Sequence, residues 1–180
     1  MTSAAVKLFG EAGWSGFSIE AVARRAGVGK ASIYLRWSSR EALLVEALAS
    51  RVGLVAEVDT GNVRDDLLHL AGQLLRLYLG DAGRAALRMG VEADDIPGVA
   101  EHWRAMRASQ VTAARSLVHR AVTRGELPED CPVTMLLDTL CGGALMHVLA
   151  SPPELRSRLA DGPDEFAGRL VDFLLTAVRP

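Results

Sequence analysis

The stretch from Phe17 to Glu46 constrains this chain more than any other, because it fits three helices and a forced break into one compact run. Ser18 can accept from an unpaired backbone N–H of a first helical turn. Ile19, Val22, Ala23 and Ala26 then recur at helical spacing and form one buried face. Gly27-Val28-Gly29 breaks that period, and a glycine just past a helix end can take the left-handed conformation that closes it. Lys30 to Trp37 leaves room for about two turns at 3.6 residues each. Ser38, with Glu41 three residues on, has the pattern of a capping box for a third helix. Helix, glycine-bearing turn and short second helix make a helix-turn-helix, whose second helix lies in the major groove of DNA.

The side chains of the second helix support that layout. Ile33 is its main apolar residue and, with Val28, pins it to the first helix. Lys30, Ala31, Ser32, Tyr34, Leu35 and Arg36 are cationic, small, hydrogen-bonding or suited to a thymine methyl. Lys30 and Arg36 can meet bases or phosphates, Tyr34 can donate to a phosphate, and Arg40 in the next helix is placed to reach the backbone. An ordinary three-helix corner with a solvated basic face would share the spacing. The formal net charge of −2 also speaks against a nucleic-acid binder, until its distribution is considered. Residues 1–51 hold seven Lys and Arg against four Asp and Glu, whereas residues 52–180 hold 13 against 18. A basic head on an acidic body suits a protein that touches DNA at one end.

The run Ala4 to Trp14, then Phe17 to Ala23, Ala26-Gly27-Val28, Ser32 to Trp37 and Ser39 to Leu44 resembles the DNA-binding domain of the TetR family of transcriptional regulators. The match touches nearly every position from 4 to 48. It implies an all-α homodimer that binds a near-palindromic double-stranded operator, with a larger C-terminal domain for effector and dimer contacts. Carried over by position, the resemblance makes Lys30, Ala31, Ser32 and Leu35 base-facing, and Ser18, Tyr34, Arg36 and Arg40 phosphate contacts. Arg40 stands where the family usually has lysine, which keeps the charge. The family's first helix usually has a longer, often basic lead-in, and this sequence begins almost at that helix.

The expected architecture is an N-terminal three-helix helix-turn-helix domain over residues 1–51 and a C-terminal helical bundle over 52–180. A first helix from Thr2 to Ala12 buries Val6 and Phe9 and ends at Gly13, and Trp14 and Phe17 brace the turn behind it. The helix after Ser38 continues toward Val58, and the resemblance makes it the link between domains. Asp59 to Asn62 is the clearest boundary, and Asn62 caps a helix through Leu79. A short helix to Ala93 follows. Asp94-Asp95-Ile96-Pro97 starts a long one that Gly125 stops, with the stripe Val99, Trp103, Met106, Gln110, Ala114, Leu117 and Ala121. The helix from about Pro132 to Ala150 is apolar around almost its whole circumference, so it is expected to be covered on more than one side. Pro152 to Gly162 reads as a loop with an extra turn. The final helix runs from about Asp164 to Val178.

With little material in a small monomer to cover both, the last two long helices read as a dimer face through Leu136, Leu140, Gly143, Phe166, Leu170, Phe173 and Leu174. An unidentified small, apolar effector is assigned to polar or soft groups on apolar stripes: Tyr78, Met89, Trp103, Met106, Gln110, Met146 and His147. The same side chains at helical spacing also serve as ordinary core. Cys131 and Cys141 match no zinc or redox spacing, and the four histidines show none for a metal. No nucleophile elbow, phosphate loop or paired-carboxylate signature appears, so neither enzyme activity nor a cofactor is expected. Lys7 and Glu11 interrupt any apolar leader, and no apolar run reads as long enough to span a bilayer, so the expected place is the cytoplasm. A DNA-binding regulator without an effector, or a helical carrier that does not bind DNA, are the competing readings.

Overall fold

The computed structural model describes residues 1–51 and 58–178. Among the described residues the chain is all-helical, with α1 Thr2–Ala12, α2 Ile19–Ala26, α3 Lys30–Tyr34, α4 Arg40–Ala49, α5 Val63–Leu79, α6 Gly83–Glu92, a 3-10 turn Ala93–Asp95, α7 Ala100–Thr123, α8 Val133–Ala150, α9 Pro153–Asp161 and α10 Pro163–Val178. They divide into two compact units, Met1–Gly53 with Gly80–Arg107 and Leu54–Leu79 with Ala108–Pro180.

In the first unit, α1 packs on α2, α4 and α6. Val6, Phe9, Phe17, Val22, Ile33, Leu43, Leu44 and Ala47 are its core. Phe17 meets Phe9 edge-on at 6.1 Å and stacks beside Trp14 at 5.9 Å, so the loop after α1 is tied down by rings. Residues 80–107 therefore belong with the head, although they lie far from it in sequence. Gly10 of α1 lets α6 approach closely: a Cβ there would stand 3.1 Å from the backbone nitrogen of Ala85. Arg88 then caps the end of α1, donating to the carbonyls of Gly10 at 3.0 Å and Glu11 at 3.2 Å. Glu92 accepts from the backbone N–H of Trp14 at 2.8 Å.

In the second unit, α5 packs against α8 and α10 around Leu67, Leu70, Leu75, Leu117, Val118, Leu136, Leu140, Val171 and Leu174. Asp66 is fully buried. It accepts from the Thr60 backbone and hydroxyl at 2.7 and 2.8 Å and from Arg124 at 3.2 Å, so its charge is paired and hydrogen-bonded as burial requires. Asn62 accepts from the Asp65 N–H at 2.8 Å and opens α5 as its sequence predicts.

Several boundaries differ from the sequence reading. Ser39, rather than Ser38, caps α4, accepting from Ala42 N–H at 3.1 Å. The second helix of the helix-turn-helix is shorter than Lys30–Trp37: after Tyr34 the chain closes in a turn in which both Arg36 and Trp37 donate to the Ile33 carbonyl. The long helix starts at Ala100, not at Asp94, because Gly98 adopts φ +73° and breaks the approach to it. Residues 152–162 hold a nine-residue helix, α9, where a loop with a short extra helical turn is expected. The extension of α4 toward Val58 falls largely on residues 52–57, outside the described residues.

The largest departure concerns α8. Its 18 residues, of mean hydropathy 1.6, are long and apolar enough to cross a membrane, against the expectation that no run reaches that length. Leu136, Leu137, Leu140, Ala144 and Val148 are buried in the unit's core, as in a core helix. The other side is not covered: Met135 is 69% exposed, Met146 57% and Leu149 45%.

Candidate nucleic-acid interface

Three features hold the second helix of the helix-turn-helix in place. Ser18 caps α2 by accepting from Ala21 N–H at 3.2 Å, a contact that leaves its hydroxyl proton available to a phosphate oxygen. Gly27 takes φ +68° and closes α2, its N–H pointing to the carbonyls of Ala23 and Arg24. Ile33 then seats α3 in the core with no exposed surface. Everything else on that short helix faces outward. Lys30, Ala31, Ser32 and Arg36 are exposed, with Tyr34 at 54% and Leu35 at 86%. An exposed leucine flanked by cations costs hydration in isolation, and contact with a base methyl or an apolar groove wall would recover it.

Of the eight nominated contacts, the six from Lys30 to Arg36 are exposed, and Ser18, at the cap of α2, is half-buried. Arg40 is engaged within the head. Its guanidinium lies 3.8 Å over the Trp14 ring, donates through Nη1 to the Phe17 carbonyl at 2.9 Å and reaches Glu41 at 3.4 Å. Those contacts tie the start of α4 to the loop before α2, and Nη2 is what remains for a phosphate. Trp37 is similarly fixed, its indole N–H donating to Glu46 at 2.9 Å.

Sequence reasoning missed one charged neighbour. Glu20, on the exposed side of α2, accepts from Lys30 Nζ at 2.9 Å. Each holds the other in its charged form: the Lys30 hydrogen bond lowers the Glu20 pKa, and the Glu20 hydrogen bond raises that of Lys30. A pairing across ten residues and a turn leaves no periodic trace in sequence. Arg25 is likewise paired with Glu11, at 2.5 Å.

The nominated effector residues divide between the two units. Met89, Trp103 and Met106 of the first unit line a small apolar void of about 10 Å³ with Val45, Leu48 and Val99. Tyr78, Gln110, Met146 and His147 belong to the second unit. Met146 is one of the exposed residues of α8, and His147 stacks on Phe166 with ring centres 3.5 Å apart. Burial, and then Arg169, lower the His147 pKa. The larger concavity, an open groove of about 780 Å³ at the start of α8, is lined by Arg115, Cys131, Met135 and Asp138 and by none of the seven.

The nominated dimer face needs a correction. Leu136, Leu140 and Leu174 are buried within their own chain and have almost no surface to offer a second one. Gly143 is filled from α10, where a Cβ would meet Leu170 at 3.2 Å. Phe173 alone of the seven is strongly exposed, at 70%. Helical spacing identifies an apolar residue but not which neighbour covers it.

A short cationic helix, seated on a three-helix corner by one buried isoleucine and exposed on every other side, defines a DNA-binding protein of the helix-turn-helix class. Residues 2–47 match the family model for bacterial regulatory proteins of the tetR family, and residues 57–173 match that for the tetracyclin repressor-like C-terminal domain. The HTH-type transcriptional regulator AqdR of Rhodococcus erythropolis is 33% identical over 139 residues, 77% of this chain and 66% of that protein. The DNA-binding transcriptional repressor TetR of Mycobacteroides abscessus is 32% identical over 178 residues, 93% of this chain and 86% of that one. The fold is also that of the transcriptional regulator FadR from Bacillus subtilis, solved in complex with stearoyl-CoA, with a TM-score of 0.74 and 15% identity over 99% of this chain and 97% of that one. The chain belongs to the TetR family and is a helix-turn-helix transcriptional regulator.

Proposed function

We propose that this protein represses transcription by binding a near-palindromic operator as a homodimer, and that a small apolar effector releases it. The observation that carries the DNA contact is the outward-facing α3, whose cations and small residues leave the backbone free to approach base edges. Lys30, Ala31, Ser32 and Leu35 meet bases in this reading. Ser18, Tyr34, Arg36 and the remaining edge of Arg40 meet phosphates. The two α3 helices of a dimer then enter major grooves about one helical turn apart, ~34–36 Å, or a multiple of it.

The dimer forms through the uncovered side of α8 and through Phe173 of α10. Met135, Met146 and Leu149 make an apolar stripe on α8, and a Cβ at Gly142, within it, would meet nothing within 4 Å. That opening admits a second helix at close range. An effector that prefers a conformation with the wrong groove spacing shifts the population away from DNA. The stearoyl-CoA bound by the structurally similar FadR favours an effector with a long apolar part. Such a regulator works in the cytoplasm, where its operator lies.

A low-salt mobility shift tests the head. Tyr34→Phe with Arg36→Ala weakens binding to all duplexes and lowers the salt slope by about 1 to 2. Lys30→Ala or Ser32→Ala changes sequence preference instead. If neither set alters DNA retention, α3 is not the contact.

A further inference from the structure

Glu20 is a carboxylate on the exposed side of a DNA-binding head; the first turn of α2 favours its charge, but a phosphate would be repelled by it. It is about half exposed, stands in the first turn of α2 two residues after Ser18, and is joined to Lys30 at 2.9 Å. Among the described residues Arg24 and Arg36 are exposed cations of the same head without an ion pair, so the head does not pair its charges uniformly. A carboxylate next to a phosphate repels it, whereas beside a base edge it can accept a hydrogen bond. The Lys30–Glu20 pair therefore offers a donor and an acceptor side by side at the front of α3. In the major groove a G·C pair presents the complementary set: acceptors at guanine O6 and N7, and a donor at cytosine N4.

We propose that Glu20 is a specificity-determining residue, and that Glu20 and Lys30 together read one G·C pair in each half-site. Lys30 donates to the guanine and Glu20 accepts from the cytosine amino group. A phosphate offers Glu20 no donor and repels its carboxylate, so sequence-independent binding is penalised. No bond is made or broken and no proton moves, because the contact holds Glu20 ionised and Lys30 protonated in both states. The inference rests on the proposed placement of Lys30 at base edges.

Selection of duplexes from a randomised pool by the full-length protein, followed by titration of the selected duplex and its single-position variants, tests both layers. The wild type is expected to select a symmetric pair of G·C positions, one per half-site. Glu20→Gln keeps the size but removes the charge and replaces one accepting oxygen with a donating amide nitrogen. Its discrimination at that position should fall about tenfold, the scale of one bidentate base contact, while affinity for random duplex at low salt rises. Lys30→Ala should lose the same position, and the double variant should lose no more than Lys30→Ala alone. Equal strengthening on every sequence by Glu20→Gln, with the selected motif unchanged, would overturn the inference and leave Glu20 as a mere counter-charge. A wild type that selects no duplex overturns the DNA reading itself, and this inference with it.

Discussion

Helices α3 and α8 both leave apolar side chains in water, and they do so in opposite company. On α3 and in the turn after it, Tyr34 and Leu35 stand among Lys30, Arg36 and small groups, on a helix of five residues held by one buried side chain. On α8, Met135, Met146 and Leu149 lie on an 18-residue helix whose only Asp, Glu, Lys or Arg is Asp138. Apolar surface among cations suits a polyanion that also offers methyl groups and base faces. Apolar surface with little charge suits another protein surface of the same kind, because desolvating it costs few ionic contacts. In the proposed function the two exposed patches divide the work: one meets DNA, and the other meets a second copy.

The largest effect comes from charging the α8 patch. Met146→Glu with Phe173→Glu should leave the chain folded and monomeric by sedimentation, since both side chains are exposed, and should weaken operator binding by more than about 100-fold, as two linked half-site contacts become one. A charged variant that still sediments as a dimer would break the comparison. A smaller effect separates the two serines before α4. Ser39→Ala should cost about 1 kcal/mol in denaturant unfolding, whereas Ser38→Ala should cost almost nothing. Equal losses would return the cap to Ser38. The smallest effect is on the pH dependence of stability. Burial, and then Arg169, hold the folded-state pKa of His147 below the ordinary histidine value of 6.5. The unfolded chain therefore binds the proton more readily, so the contribution of a neutral His147 is complete above about pH 6.5 and is lost as pH falls through the folded value. His147→Phe keeps a ring on Phe166 and should reduce the drop in melting temperature between pH 7.5 and pH 5.

The head was legible in unusual detail. α1 spans the residues its periodicity predicts, Gly13 and Gly27 close helices with positive φ, and Ser18 and Asn62 cap them. These are local features: a cap, a stop or an amphipathic stripe is decided by residues within a turn or two. The misplaced cap at Ser38 was a one-residue error of the same local kind, since either serine precedes a helix former. Pairings across distance were not legible. Glu20 with Lys30, Arg40 over Trp14, and Arg88 with the carbonyls of Gly10 and Glu11 depend on how separate helices meet. Gly13 shows the limit well. Its positive φ could be expected at a helix end, but the crowding of its missing Cβ by Arg88 Nη1, at 2.6 Å, belongs to α6.

The same division holds for the second unit. An apolar circumference on α8 is visible in its residues, but which arc α5 and α10 cover is not: Leu136, Leu140 and Leu174, which the sequence reading places on a dimer face, are buried within their own chain. By itself the sequence determined an all-helical chain, its helix-turn-helix and its family, because turn chemistry and apolar spacing act through near neighbours along the chain. Only the tertiary structure decided which apolar residues stay in water, which cations are already paired and which helices join the head. Burial and ion pairing are properties of two surfaces together, and one strand of sequence carries no record of the surface that will meet it.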